Sequence, residues 1–202
     1  MPNKNVSSTK DKIYRSALDM FSGTGYASTS MRDLAKAVGI KHASIYNHFN
    51  SKKDILLGLY KSFSDEHQKV IPDIDEMLTL AETLPLVELY MRLNYHFAPG
   101  TEYFMTRVLS IAVRNMTTDV DSWQFIYDNI LISPRRLTVP VTKRLIELGR
   151  IEPIDVDALA SLVGHCCFSA ISLVETPMDA SMKDFEKGLK FLYSSIIRPT
   201  GK

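Results

Sequence analysis

From Ser30 to Lys52 the chain reads SMRDLAKAVGIKHASIYNHFNSK, and no other stretch constrains its local geometry as tightly. Ser30-Met31-Arg32-Asp33 is a capping box. Its serine oxygen accepts an orphan amide of the first helical turn, and its aspartate reaches back to the amide of the cap. Leu34, Ala35 and Val38 then recur at helical spacing on one face. Gly39 follows directly, where positive φ can end a helix without a Cβ penalty. Beyond it, Ile40, Ile45 and Phe49 are apolar anchors, while Lys41, His42, Ser44, Tyr46, Asn47 and His48 crowd hydrogen-bonding groups onto one helical stretch. Two short helices joined at a glycine, the second carrying the donors, predict a helix-turn-helix whose second helix suits a DNA groove.

The charge pattern agrees with that placement. The chain of 202 residues carries a net charge of only +1, but residues 1–55 hold nine Lys and Arg against four acids, a net of +5, which leaves −4 for the rest. A basic head on an acidic body suits phosphate binding at one end. The polar start MPNKNVSSTKDK is not a secretory signal, and the longest uncharged run, Ala158 to Val174, falls short of a membrane span. Cys166 and Cys167 are adjacent, and neighbours in a helix point in different directions and make no easy disulfide. The expectation is a cytoplasmic protein with no membrane segment.

Helical periodicity recurs along the whole chain. Thr9 to Ser22 forms an amphipathic helix ended by Gly23 and Gly25, and Asn50-Ser51 caps a helix from Lys52 with Ile55, Leu56, Leu59, Tyr60 and Phe63 as its buried row. Further segments are expected over 75–83, 85–97, 101–115, 121–132 and 134–149, with Pro140 in a first turn or at a kink. Two longer ones are expected over 155–175, rich in small residues, and 181–197, with Met182, Phe185, Leu189, Leu192 and Ile196 on one stripe. No run alternates as a strand does, so the fold class is all-α. The predicted organisation is an N-terminal three-helix helix-turn-helix DNA-binding domain over residues 1–55 and a C-terminal helical domain over 56–202, with the boundary drawn by charge; the effector-binding and dimerisation roles of the second come only from a family resemblance.

In the body, Tyr90, Met91, His96, Phe104, Arg107, Trp123, Tyr127, His165 and Phe168 are the candidates for lining a small-molecule cavity. For each, ordinary packing is the simpler account, and for Arg107 a surface or interface salt bridge. His165, Cys166 and Cys167 are three successive helical residues and diverge in direction, so they predict no metal centre, and core packing is expected for them. There is no G-x-S-x-G, phosphate loop or paired carboxylate, so no enzyme and no cofactor are expected.

The N-terminal third resembles the TetR family of bacterial transcription regulators. The resemblance lies in Gly25 to Ser30, Ala35 to Gly39 and the run Ser44-Ile45-Tyr46-Asn47-His48-Phe49-Asn50-Ser51-Lys52, and covers about residues 9–57. It implies that Ser30, Ser44, Tyr46, His48 and Lys52 hold phosphates. It also implies that Arg32, Lys41, His42 and Asn47 meet base edges and that Ala43 touches a thymine methyl. Ala43-Ser44 replaces the commoner glycine-threonine pair, so operator sequence does not carry over from relatives. The resemblance further implies a homodimer through the helices near 155–175 and 181–197, bound to a palindromic double-stranded operator and released by a small effector. The competing reading is a ligand-independent or architectural DNA-binding protein whose body binds a protein partner. A body with a buried void of several hundred cubic ångströms would favour the effector, and a filled core with an exposed apolar patch the partner.

Overall fold

The computed structural model describes residues 8–94, 102–172 and 178–199. Among them the secondary structure is helical, apart from one isolated antiparallel bridge between Ile151 and Pro199. The helices are α1 (Thr9–Met20), α2 (Met31–Val38), α3 (His42–Ile45), α4 (Lys52–Gln68), α5 (Ile74–Leu80), α6 (Leu86–Asn94), α7 (Glu102–Asn115), α8 (Val120–Ile126), α9 (Arg135–Glu147), α10 (Val156–Ser172) and α11 (Met178–Ile196). No helix among the described residues is long and apolar enough to cross a membrane.

Side-chain caps set the starts of the head helices. Ser8 with Asp11 and Ser30 with Asp33 both form complete capping boxes, and Ser51 accepts the amide of Asp54 at the start of α4. At the end of α2, Gly39 sits at φ 77°, its amide donating to Lys36 and that of Ile40 to Ala35. That pair of bonds is a Schellman motif, and it turns the chain sharply toward α3.

Two helices widen before they end, the first of them past its predicted end at Ser22 and the eighth within its predicted span. After Met20 the first helix continues as a π-type turn over Phe21–Gly25, and after Ile126 the eighth does so over Tyr127–Ile132. Pro140 lies inside α9 as its sixth residue, not in the first turn; it lacks the amide that would reach the Arg136 carbonyl.

Two apolar clusters hold the molecule. One joins the head to the body: Ile13, Ala17, Phe21, Leu34, Ile45, Ile55, Leu56 and Leu59 pack in a single buried set with Val108, Ile111, Ala112 and Phe125. The other unites α5, α6, α9, α10 and α11 through Met77, Leu89, Tyr90, Val141, Leu145, Val163, Leu189 and Tyr193. α4 is the shared element, since it packs on α1 in the head and on α7 in the body. Tyr60, from its middle, stacks on Phe125 at 4.3 Å and shares a 2.8 Å hydrogen bond with the buried Ser122 hydroxyl.

Candidate nucleic-acid interface

The turn after α2 divides its side chains cleanly. Ile45 and Phe49 are buried against the head core, with the Phe49 ring edge-on to Tyr14 at 4.9 Å. Lys41, His42, Ala43, Tyr46, Asn47 and His48 are exposed, as is Arg32 on α2, and Ser44 is half-buried. The rings of His42 and Tyr46 meet edge-to-face at 5.4 Å. The turn and α3 therefore present ammonium, imidazole, amide and phenol groups together, with the Arg32 guanidinium on α2 beside them, backed by a buried apolar underside.

This element is shorter than the sequence suggests. Only His42–Ile45 is α-helical, and the chain then tightens, Asn47 donating to Ser44 and His48 to Ile45. These i→i−3 bonds end the regular helix, and the Phe49 amide then closes the turn on the Ile45 carbonyl four residues back.

Two sequence-assigned phosphate contacts carry partners within the protein. Ser30 Oγ lies 2.5 Å from the Asp33 carboxylate and accepts the Asp33 amide. These Ser30 bonds hold the Asp33 carboxyl below its ordinary 3.8. Lys52 Nζ donates to the carbonyls of Tyr26 at 2.6 Å and Thr29 at 2.7 Å, leans toward that of Ala27 at 3.4 Å, and lies 4.3 Å over the Tyr26 ring. Burial draws its pKa down.

The neighbouring Lys53 faces the body. It bridges Asp119, the N-cap of α8, and Asp121, the latter at 2.7 Å. Burial disfavours both charges, but the mutual bonds outweigh it, lowering the Asp119 pKa and raising that of Lys53. On another flank Tyr103 donates to Asp19, Arg107 to Ser22 Oγ at 2.8 Å, and Arg114 to the Ser22 carbonyl at 2.6 Å. Arg107 also lies 3.3 Å from Asp19. Arg107, a candidate for a cavity, is thus part of the seam between head and body.

The other cavity candidates are dispersed. Tyr90 is buried, stacked on Tyr193 at 4.3 Å and bonded to Thr142 at 2.8 Å, with burial pushing its pKa up to about 12. Met91 packs on the same cluster, and Phe104 and Phe168 on the other. Trp123 and Tyr127 form an exposed pair 5.9 Å apart. His165, where core packing was expected, is exposed and sits 2.7 Å from the Ser161 carbonyl. His96 lies outside the described residues, and so do the side chains of Met182, Phe185 and Ile196. Among the described residues no three His, Cys, Asp or Glu side chains converge as metal ligands.

An open groove of about 660 Å³ lies elsewhere, between the start of α6, the end of α9 and the end of α11. Pro85, Leu86, Val87, Tyr193 and Ile197 line it, with Arg150 at its edge donating to the carbonyls of Ala81 and Leu84. Sequence reasoning missed it because it forms where three helix ends meet, and periodicity carries no signal there.

A capped helix, a left-handed glycine and an exposed donor-rich turn on an all-helical body define the helix-turn-helix class. Residues 13–59 match the family of bacterial regulatory proteins, tetR family, so the resemblance to that family lies in the helix-turn-helix segment. Over 46 residues it is 54% identical to the biofilm operon icaADBC HTH-type negative transcriptional regulator IcaR of Staphylococcus aureus strain Newman, a match covering 23% of this chain and 25% of that protein. The Staphylococcus epidermidis protein of the same description is 46% identical over 46 residues, again 25% of its length. The match thus spans about a quarter of these relatives. In fold the likeness extends further. The TetR family regulator PfmR of Thermus thermophilus superimposes with a TM-score of 0.62 at 20% identity, covering 98% of this chain and 100% of that one. The ketosteroid transcriptional regulator KstR2 of Mycobacterium tuberculosis gives 0.60 at 20% identity over 96% and 97% of the two chains. A regulator from Saccharomonospora viridis in complex with choline gives 0.62 at 21% over 93% and 96%.

Proposed function

We propose that the chain is a sequence-specific DNA-binding transcriptional regulator of the cytoplasm, a homodimeric repressor that leaves a palindromic operator when a small effector binds its body. Residues 1–55 would be the DNA-binding domain and 56–202 the ligand-binding and dimerisation domain. The observation that carries this reading is the recognition turn, whose apolar anchors are buried while its hydrogen-bonding side chains stand free in solvent. Asn47 suits a bidentate contact with adenine and Arg32 one with guanine; Tyr46, Ser44 and His48 suit phosphates. The 54% identity to a negative regulator in this segment supports repression.

Dimerisation is supported by α10 and α11, which pack together and leave Leu162 and Phe191 exposed, the latter at 72%. Two heads paired about a two-fold axis would read half-sites about 34–36 Å apart. The effector is supported by fold neighbours, of which one is held in complex with choline and another is described as a ketosteroid transcriptional regulator. Effector binding would favour a state in which α4 is tilted and the two heads no longer meet both half-sites, a coupling of about 1–3 kcal/mol.

Selection on a randomised duplex pool tests the reading: purified protein should return a palindromic operator. Asn47→Ala should relax one position of each half-site by about 1–3 kcal/mol. Failure to enrich any duplex at low salt would reject DNA binding, and an unchanged sequence logo would reject the Asn47 role.

A further inference from the structure

The helix-turn-helix lysine is held by the protein itself. An ammonium has three N–H donors. Those of Lys52 meet three carbonyls of one short loop: Tyr26 at 2.6 Å, Thr29 at 2.7 Å and Ala27 at 3.4 Å. The loop is shaped to offer them. Thr29 is 2% exposed, its amide bonds to the Tyr26 carbonyl, and its hydroxyl donates to Gly25 at 2.9 Å. The Tyr26 ring, fixed edge-on to Phe21 at 5.1 Å, covers the cation. Two of the three N–H bonds are thereby taken up by short contacts with the loop, and the Ala27 carbonyl lies 3.4 Å away for the third.

The positions of the two ends give the contact its meaning. Tyr26–Thr29 immediately precedes Ser30, the N-cap of α2, and Lys52 immediately follows Ser51, the N-cap of α4. The bonds therefore close residues 30–51, the whole helix-turn-helix, into a loop pinned at its neck. We infer that Lys52 is a positioning residue, a clamp that fixes the recognition turn against the start of α4, and not a phosphate contact. This inference rests on the DNA-binding reading. It implies that the cation contributes to affinity by holding Lys41, Tyr46 and Asn47 in place, so its removal weakens binding without changing how many phosphates are neutralised.

Wild type, Lys52→Met and Lys52→Arg are compared on the duplex selected with the wild-type protein, over about 50 to 200 mM KCl. A clamp predicts that Lys52→Met binds more weakly with the salt slope unchanged and melts about 2–8 °C lower. Lys52→Arg should restore neither property, because a planar fork does not fit three converging carbonyls. A phosphate contact predicts the reverse, a slope reduced by about 0.9, an unchanged melting temperature and rescue by arginine, and would overturn the inference. Should either variant fail to fold, reductive methylation of the wild-type protein still decides. Lys52 should label more slowly than exposed Lys36 with or without DNA; fast labelling that DNA suppresses would refute the clamp. If the wild-type protein binds no duplex, the DNA-binding reading fails, while the melting and labelling signatures still test the clamp.

Discussion

Single side chains decide where the head begins and how it responds to acid. The carboxyls of Asp11 and Asp33 are each lowered by hydrogen bonds from the serine that caps the same helix. A carboxyl whose folded pKa is depressed contributes stability that is fully present above its unfolded value, here the ordinary 3.8, and that is lost as pH falls through the lower folded value. Circular dichroism should therefore show helix lost from the head only below that ordinary value, with no change near neutrality. In Asp33→Asn the α2 share of this acid step should be absent; an identical acid profile would show that the capping box contributes nothing. At this scale the sequence was highly legible: Ser30, Asp33 and Gly39 act through local geometry, and their spacing alone states their bonds. Lys52 was not legible in the same way, because the three carbonyls it meets lie 23 to 26 residues away and depend on how the loop after α1 folds.

At the scale of elements, close packing sets the tolerances. A Cβ built at Gly164 of α10 would lie 2.5 Å from the Leu131 carbonyl oxygen and 3.2 Å from its carbon, so the helix approaches the backbone of the π-type turn itself. Gly164→Ala should cost about 1–3 kcal/mol, since backbone cannot step aside as a side-chain tip can. Urea unfolding that leaves the midpoint unchanged would contradict this contact. The small residues of this helix were visible as an invitation to close approach, but the partner was not. A run such as Asp121–Ile132 shows helical periodicity without revealing that its second half widens to π-type bonding. The recognition turn was overextended for a related reason: its apolar spacing continues to Phe49, while regular α-helix ends at Ile45 because backbone tightening, which composition does not encode, closes it.

For the whole molecule, pairing is the property most open to test. Leu162 is 42% exposed and Phe191 72%, an arrangement with little advantage for a single chain. The double change Leu162→Glu with Phe191→Glu should halve the sedimenting mass. Operator affinity should fall on the order of 10²–10⁴-fold, because linked heads gain avidity that single heads lack. A variant that still sediments as the wild type would show that this face does not pair. The order of helices was readable from periodicity. The cavity candidates were not, because aromatic and sulfur-bearing residues at helical spacing look alike whether they fill a core, as Tyr90 does, or face water, as Trp123 does.

The attachment of α4 to α8 has a consequence for any signal crossing the molecule. Lys53 grips Asp119 and Asp121 at one end of the contact, while Tyr60 is bolted to Ser122 and lies flat on Phe125 further along. A rotation of α4 against α8 would therefore have to break the Tyr60–Ser122 bond and part the stacked rings, which anchors the helix along its length as well as at its tip.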